Sequence, residues 1–166
     1  VSIVRKGNLK IQHFWRYPDQ TKVIPYTQQI ELNPLTLLAN PPHIDGIIWR
    51  KDKLMALGGM DDRVPYLGEH ITLHQLLLQG ERGLQIEAVV SAFAYVVDGL
   101  TTQVVQGNLL HQRIIEFLEV LAIVSQETQY HSSFVQIRDR VAQHPCRTFD
   151  EYLTLVHDYL GIPTES

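Results

Sequence analysis

The chain has 166 residues, 45% of them hydrophobic and 19% charged, with a net charge of -4. That is enough apolar residue for one domain with a buried core, and a negative balance without a basic run argues against nucleic acid as a partner. The single cysteine, Cys146, excludes an internal disulfide framework and a multi-cysteine metal site.

In chain order, Val1 to Val4 reads as a short apolar strand that arrives with no preceding turn or cap, which fits a piece of a longer protein. Arg5 and Lys6 lead into Gly7-Asn8, a turn, rather than into the apolar stretch of a signal peptide. Leu9, Ile11, His13 and Trp15 alternate with polar residues, the period of a half-buried strand. Asn33-Pro34 is a helix start, with Asn33 as cap and Pro34 at the first helical position, and Asn40-Pro41-Pro42 ends that helix. Gly46-Ile47-Ile48-Trp49 is a compact apolar run expected as a buried strand. Asp52 is placed to cap a short helix through Leu57, and Gly58 is placed to stop it.

A helix is expected from Glu69 to Gln79, with Leu73, Leu76 and Leu77 on one face and Gly80 as its stop. Leu84 to Val90 and Ala92 to Val97 are apolar and β-branched enough for strands. From Gly107 the pattern turns helical. Leu110, Ile114, Phe117, Leu118, Leu121 and Val124 recur at helical spacing over about five turns. A second helix is expected over Ser133 to Gln143, with Phe134, Ile137 and Val141 inward. A third opens on the capping box of Thr148 and Glu151 and closes at Gly161. Even the longest apolar run, Phe117 to Val124, is broken by Glu119 and too short for a bilayer, so a cytoplasmic or membrane-peripheral protein is expected.

The chemistry concentrates between Gly58 and Gly80. Asp61 and Asp62 follow two glycines, which let the backbone approach a ligand closely, and ionised carboxylates there would hold sugar hydroxyls. The same composition also makes an ordinary solvated turn. Glu69 stands at a helix N-terminus, where the dipole keeps a carboxylate ionised, as a general base must be, although dipole complementation alone would account for it. His70 and His74 share a helix face, but no third metal ligand is evident, and His70 could instead contact substrate. Tyr66, in the loop between these residues, is a candidate for stacking on a sugar, whereas Trp49 reads as core.

The segment Gly46 to Lys51, then Leu54, Gly58-Gly59-Met60-Asp61-Asp62, Glu69, the leucine helix and Gly80, resembles the acceptor half of family-2 glycosyltransferases with the GT-A fold. The resemblance covers roughly residues 44 to 102. Met60 stands at the family's usual phenylalanine and Asp62 at its usual glutamate. Counting back from Gly80 puts Glu69 at the base position and Gly68 at the acidic position before it. In a register shifted by one, Glu69 is the first acid and His70 stands at the base position.

The element pattern gives an α/β layout over residues 1–102 followed by an all-helical tail over 103–166, and the resemblance makes the first part a partial GT-A-like mixed sheet with flanking helices. The resemblance implies transfer of a sugar from a nucleoside-diphosphate sugar to an acceptor hydroxyl with inversion, Glu69 as base, and Asp61, Asp62, Tyr66 and His70 binding substrate. A divalent cation, Mn²⁺ or Mg²⁺, would be held mostly by residues of the nucleotide half, since no Asp-x-Asp occurs in this sequence. The alternative is a non-catalytic interaction module that docks a partner through the helical tail.

Overall fold

The computed structural model describes residues 4–6, 9–11, 29–41, 47–86, 95–96 and 109–163. Six helices account for most of them: α1 (Pro34–Ala39), α2 (Lys51–Ala56), α3 (Gly68–Leu78), α4 (Leu110–Val124), α5 (His131–Gln143) and α6 (Phe149–Leu160). Among the described residues, extended chain comes only in pieces of two or three residues, β1 (Val4–Lys6), β2 (Leu9–Ile11), β3 (Gln29–Glu31), β4 (Leu84–Ile86) and β5 (Tyr95–Val96), and every pairing among them is antiparallel.

The expected α/β class with a GT-A-like mixed sheet is therefore corrected. The described core is built by helices and the loops between them, and no parallel pair exists among the described residues. The run at Ile47 to Trp49 forms no strand: Ile48 is 97% exposed, while Ile47 and Trp49 lean on Leu37, Leu73 and Leu77. A short apolar run carries no period of its own, so hydrophobicity alone does not distinguish a buried strand from an irregular segment lying on a helix. The expected strands beyond Ile86 and Ile11 otherwise fall largely outside the described residues, as do Trp15 and Gly46.

The helices follow local signals closely. Asn33 caps α1 by accepting the Leu35 N–H at 2.9 Å, with Pro34 in the first turn. The Thr148 hydroxyl accepts from the Glu151 N–H at 3.2 Å, and the Glu151 carboxylate reaches back to the Thr148 N–H at 3.4 Å, closing the capping box of α6. The helix after Trp49 starts two residues earlier than expected, with Arg50 at the cap position. Asp52 lies in its first turn, gripped by Arg50 at 2.7 Å, and does not cap it.

The core joins the first helix to the last. Ile114, Leu118 and Leu121 of α4 meet Phe134, Ile137 and Val141 of α5, Tyr152 and Val156 of α6, Ile71 of α3 and Leu38 of α1, all nearly fully buried. α4 packs chiefly on α5, and α1 on α6, where His157 Nε2 donates to the Ala39 carbonyl at 2.8 Å. A smaller cluster of Leu37, Leu73 and Leu77 lies on the other side of α3. With Ile71, Thr72, Leu73, His74, Leu76 and Leu77 all buried, α3 is enclosed on most sides rather than on one face, the mark of a central helix. No helix among the described residues is long and apolar enough to cross a membrane.

Candidate functional site

The site expected from the sequence is the connection from α2 to α3 and the first turns of α3. The chain leaves α2 through Gly58 and Gly59, whose φ angles of +91° and +108° are left-handed and strain any residue with a Cβ. The Gly58 N–H donates to the Met55 carbonyl at 3.1 Å and the Gly59 N–H to the Leu54 carbonyl at 3.0 Å, so the turn is bonded to the end of α2.

Its other end is bonded to α3. The Asp61 N–H donates to Thr72 Oγ1 at 2.8 Å, and that hydroxyl donates to the Gly68 carbonyl at 2.9 Å. The Asp61 carbonyl lies against Gly68 so closely that a Cβ there would overlap it. Asp61 and Asp62 are thereby held at the N-terminal end of the helix that carries Glu69 and His70 in its first turn.

The two aspartates differ. Asp61 is clasped by its neighbour Arg63: Nε donates at 3.1 and 3.0 Å, Nη2 at 2.6 Å, and the Arg63 backbone N–H adds a bond at 3.0 Å. Its side chain is 8% exposed, and the Arg63 guanidinium, ahead of the opposing effect of burial, holds its carboxyl below the usual carboxylate value. The Asp61 oxygens are committed to structure, and Asp62 is the exposed member of the pair. Glu69 and His70 are half-buried. Tyr66 is half-buried too, packs against the main core, and holds a φ of +82°, uncommon for a residue with a bulky side chain.

His74 is separated in role from His70 although it lies one turn away. It is 1% exposed, its ring stands edge-on to Phe117 and Phe134 at centroid distances of 5.6 and 6.0 Å, and Nδ1 donates to the His70 carbonyl at 2.7 Å. Burial pushes its pKa down to about 4, so the ring is neutral near neutral pH. His74 is a core residue, and the pair does not present two nitrogens on one open face. Among the described residues no three His, Cys, Asp or Glu side chains come together to hold a metal ion.

Elsewhere, Cys146 is buried, its thiol donates to the His144 carbonyl at 3.4 Å, and burial pushes its pKa up, which keeps it protonated and a poor nucleophile. The residues that sequence reasoning passed over are Arg63 and Thr72. Each has a local signal: an arginine two residues after an aspartate in a turn, and a hydroxyl one helical turn beyond Gly68, between Ile71 and Leu73. No family model, no curated protein and no solved structure matches the chain.

Proposed function

We propose that the chain carries the acceptor side of an enzyme that transfers a sugar from a nucleoside-diphosphate sugar to an acceptor hydroxyl. The observation that supports this reading is the bonding of the Gly58–Asp62 turn to α3 through Thr72 and Gly68, which gathers Asp62, Glu69 and His70 at one helix end. Asp62 would accept hydrogen bonds from hydroxyls of the acceptor. A base beside it takes the proton of the reacting hydroxyl. The oxygen then bonds to the anomeric carbon, and the bond from that carbon to the diphosphate breaks, with the electron pair leaving on the nucleotide.

Two neighbouring residues compete for the base. Glu69 sits in the first turn of α3, where the dipole favours its ionised form. The lack of room for any side chain at Gly68 supports the other register, in which the acidic pair of the resemblance falls on residues 69 and 70 and His70 stands at the base position. Imidazole is a competent base near neutral pH. The donor nucleotide and its Mn²⁺ or Mg²⁺ ion are assigned to residues outside this stretch, and the residues described here do not fit that ion.

The test is transfer by the full enzyme across a panel of nucleoside-diphosphate sugars, comparing Glu69→Gln with His70→Asn. The variant that removes the base loses about a hundredfold or more in kcat with little change in donor KM. Turnover unchanged in both would sink the reading.

A second reading, an interaction module, is favoured by a different observation. None of the residues of α2 is buried, and Ile48, Met55 and Met60 around it are 97%, 64% and 44% exposed. The helices from Leu110 onward bury most of their apolar side chains in the core but leave Ile123 and Phe149 57% and 40% exposed, so α2 with its flanks and the tail both offer apolar surface. Under this reading Met55→Asp abolishes partner binding, and the panel of sugars gives no turnover.

A further inference from the structure

We propose that Thr72 is a positioning residue for the acceptor, an inference that rests on the transfer reading above. Thr72 is completely buried and touches no open surface, so it acts only through what it holds. A hydroxyl has one proton, and Thr72 spends it on the Gly68 carbonyl while its lone pair takes the Asp61 N–H, so the rotor is fixed from both sides. These bonds set how far Asp62 stands from Glu69 and His70. The rest of the turn answers to α2 through Gly58 and Gly59, and α3 sets the turn's position through two side chains: Thr72 on the Asp61 backbone and Gln75 on its carboxylate.

Asp61 completes the device without facing the substrate. Its carboxylate is closed by Arg63 and Gln75, its N–H by Thr72, and its carbonyl lies against Gly68. The residue is a bracket, and Asp62 beside it is the carboxylate left to meet the acceptor. Loss of the hydroxyl strands a buried N–H, and the turn relaxes away from α3 to satisfy it.

The experiment compares wild type, Thr72→Val and Thr72→Ser in the full enzyme, with UDP-, GDP- and dTDP-sugars as donors and p-nitrophenyl glycosides as acceptors. Valine keeps the shape and loses both bonds, whereas serine keeps both bonds. The expected result for Thr72→Val is an acceptor KM raised about tenfold or more, with donor KM and donor hydrolysis within about twofold of wild type. Thr72→Ser restores the acceptor KM. Amide exchange provides a check that needs no turnover: the Asp61 N–H is protected in wild type and in Thr72→Ser. A Thr72→Val enzyme that melts earlier yet keeps its acceptor KM overturns the proposal, as does an unprotected Asp61 amide in wild type. A wild type inactive with every donor overturns the transfer reading itself, and the positioning role with it.

Discussion

The carbonyl of Asp61 occupies the space that a side chain on Gly68 would need. The atom in the way is backbone, and the N–H of the same residue is bonded to Thr72 one turn along the helix, which resists its moving away. Gly68→Ala is expected to cost about 2 kcal/mol or more, the scale of a forced backbone shift in a packed site. Urea unfolding measures it as a lower midpoint with the slope unchanged. A loss below about 0.5 kcal/mol would mean that the turn is free to move off the helix.

Arg63 makes the turn sensitive to acid. The Asp61 carboxyl has its pKa lowered from 3.8 by Arg63, so this pair contributes stability that is fully present above pH 3.8 and is lost as pH falls through the depressed folded value. Arg63 itself is 41% exposed, which limits the pair to about 1 kcal/mol despite its forked geometry. Arg63→Gln is expected to be less stable than wild type by that amount at pH 7, with the gap closing below pH 3.8. A gap independent of pH would show that the arginine acts by packing and not by its charge.

The helices were legible in the sequence because their signals are local. Asn33-Pro34, the Thr148–Glu151 box and the spacing of Leu110, Ile114, Phe117 and Leu121 each specify an element within one or two turns, and each is found in the structure. What failed among the described residues was the reading of Ile47 to Trp49, which needed the partner of an apolar run. Ile47 to Trp49 and Leu76 to Leu78 look alike as strings of three hydrophobic residues. One string lies irregularly with Ile48 in solvent, and the other forms the centre of the domain. Which neighbour covers a run is decided by the tertiary fold. Of the site, the sequence singled out Asp61, Asp62, Glu69 and His70 as candidates, and the structure holds the two aspartates beside the first turn of α3. Asp61 was not legible as a bracket, because the only signal of the arginine that closes it is its place two residues further on.

The capping box of α6 offers a measurement of local against global stability. Thr148 accepts the Glu151 N–H at 3.2 Å, and its removal in Thr148→Ala is expected to cost about 1 kcal/mol, the usual value of such a cap. Val156 and Tyr152 on the same helix are buried in the main core, so fraying of the first turn is coupled to the whole domain. The midpoint of the entire unfolding transition is therefore expected to shift. A loss confined to amide exchange at residues 149–152, with the global midpoint unchanged, would show that the start of α6 opens independently.

His74 makes the core itself a pH-dependent element. The ring is enclosed by Phe117 and Phe134, Nδ1 is committed to the His70 carbonyl, and Nε2 is buried without a hydrogen-bond partner. The carbonyls of His70 and Pro34 favour a proton on the ring and the charge of His70 opposes one, but burial outweighs them all and brings the pKa from 6.5 to about 4. The unfolded chain therefore takes up a proton below pH 6.5 that the folded chain refuses until about pH 4. Stability from this group is complete above pH 6.5, falls as the solution is acidified through that window, and changes no further below it. The loss amounts to about 3 kcal/mol, large beside the total stability of a small domain. His74→Phe keeps a ring among the aromatic neighbours and removes the titration. Urea unfolding of both proteins between pH 7 and pH 4 should show the wild type losing that much more than the variant. Parallel pH profiles would mean that the ring reaches solvent or finds a partner for its second nitrogen, and the enclosed His74 would then not be the source of acid lability.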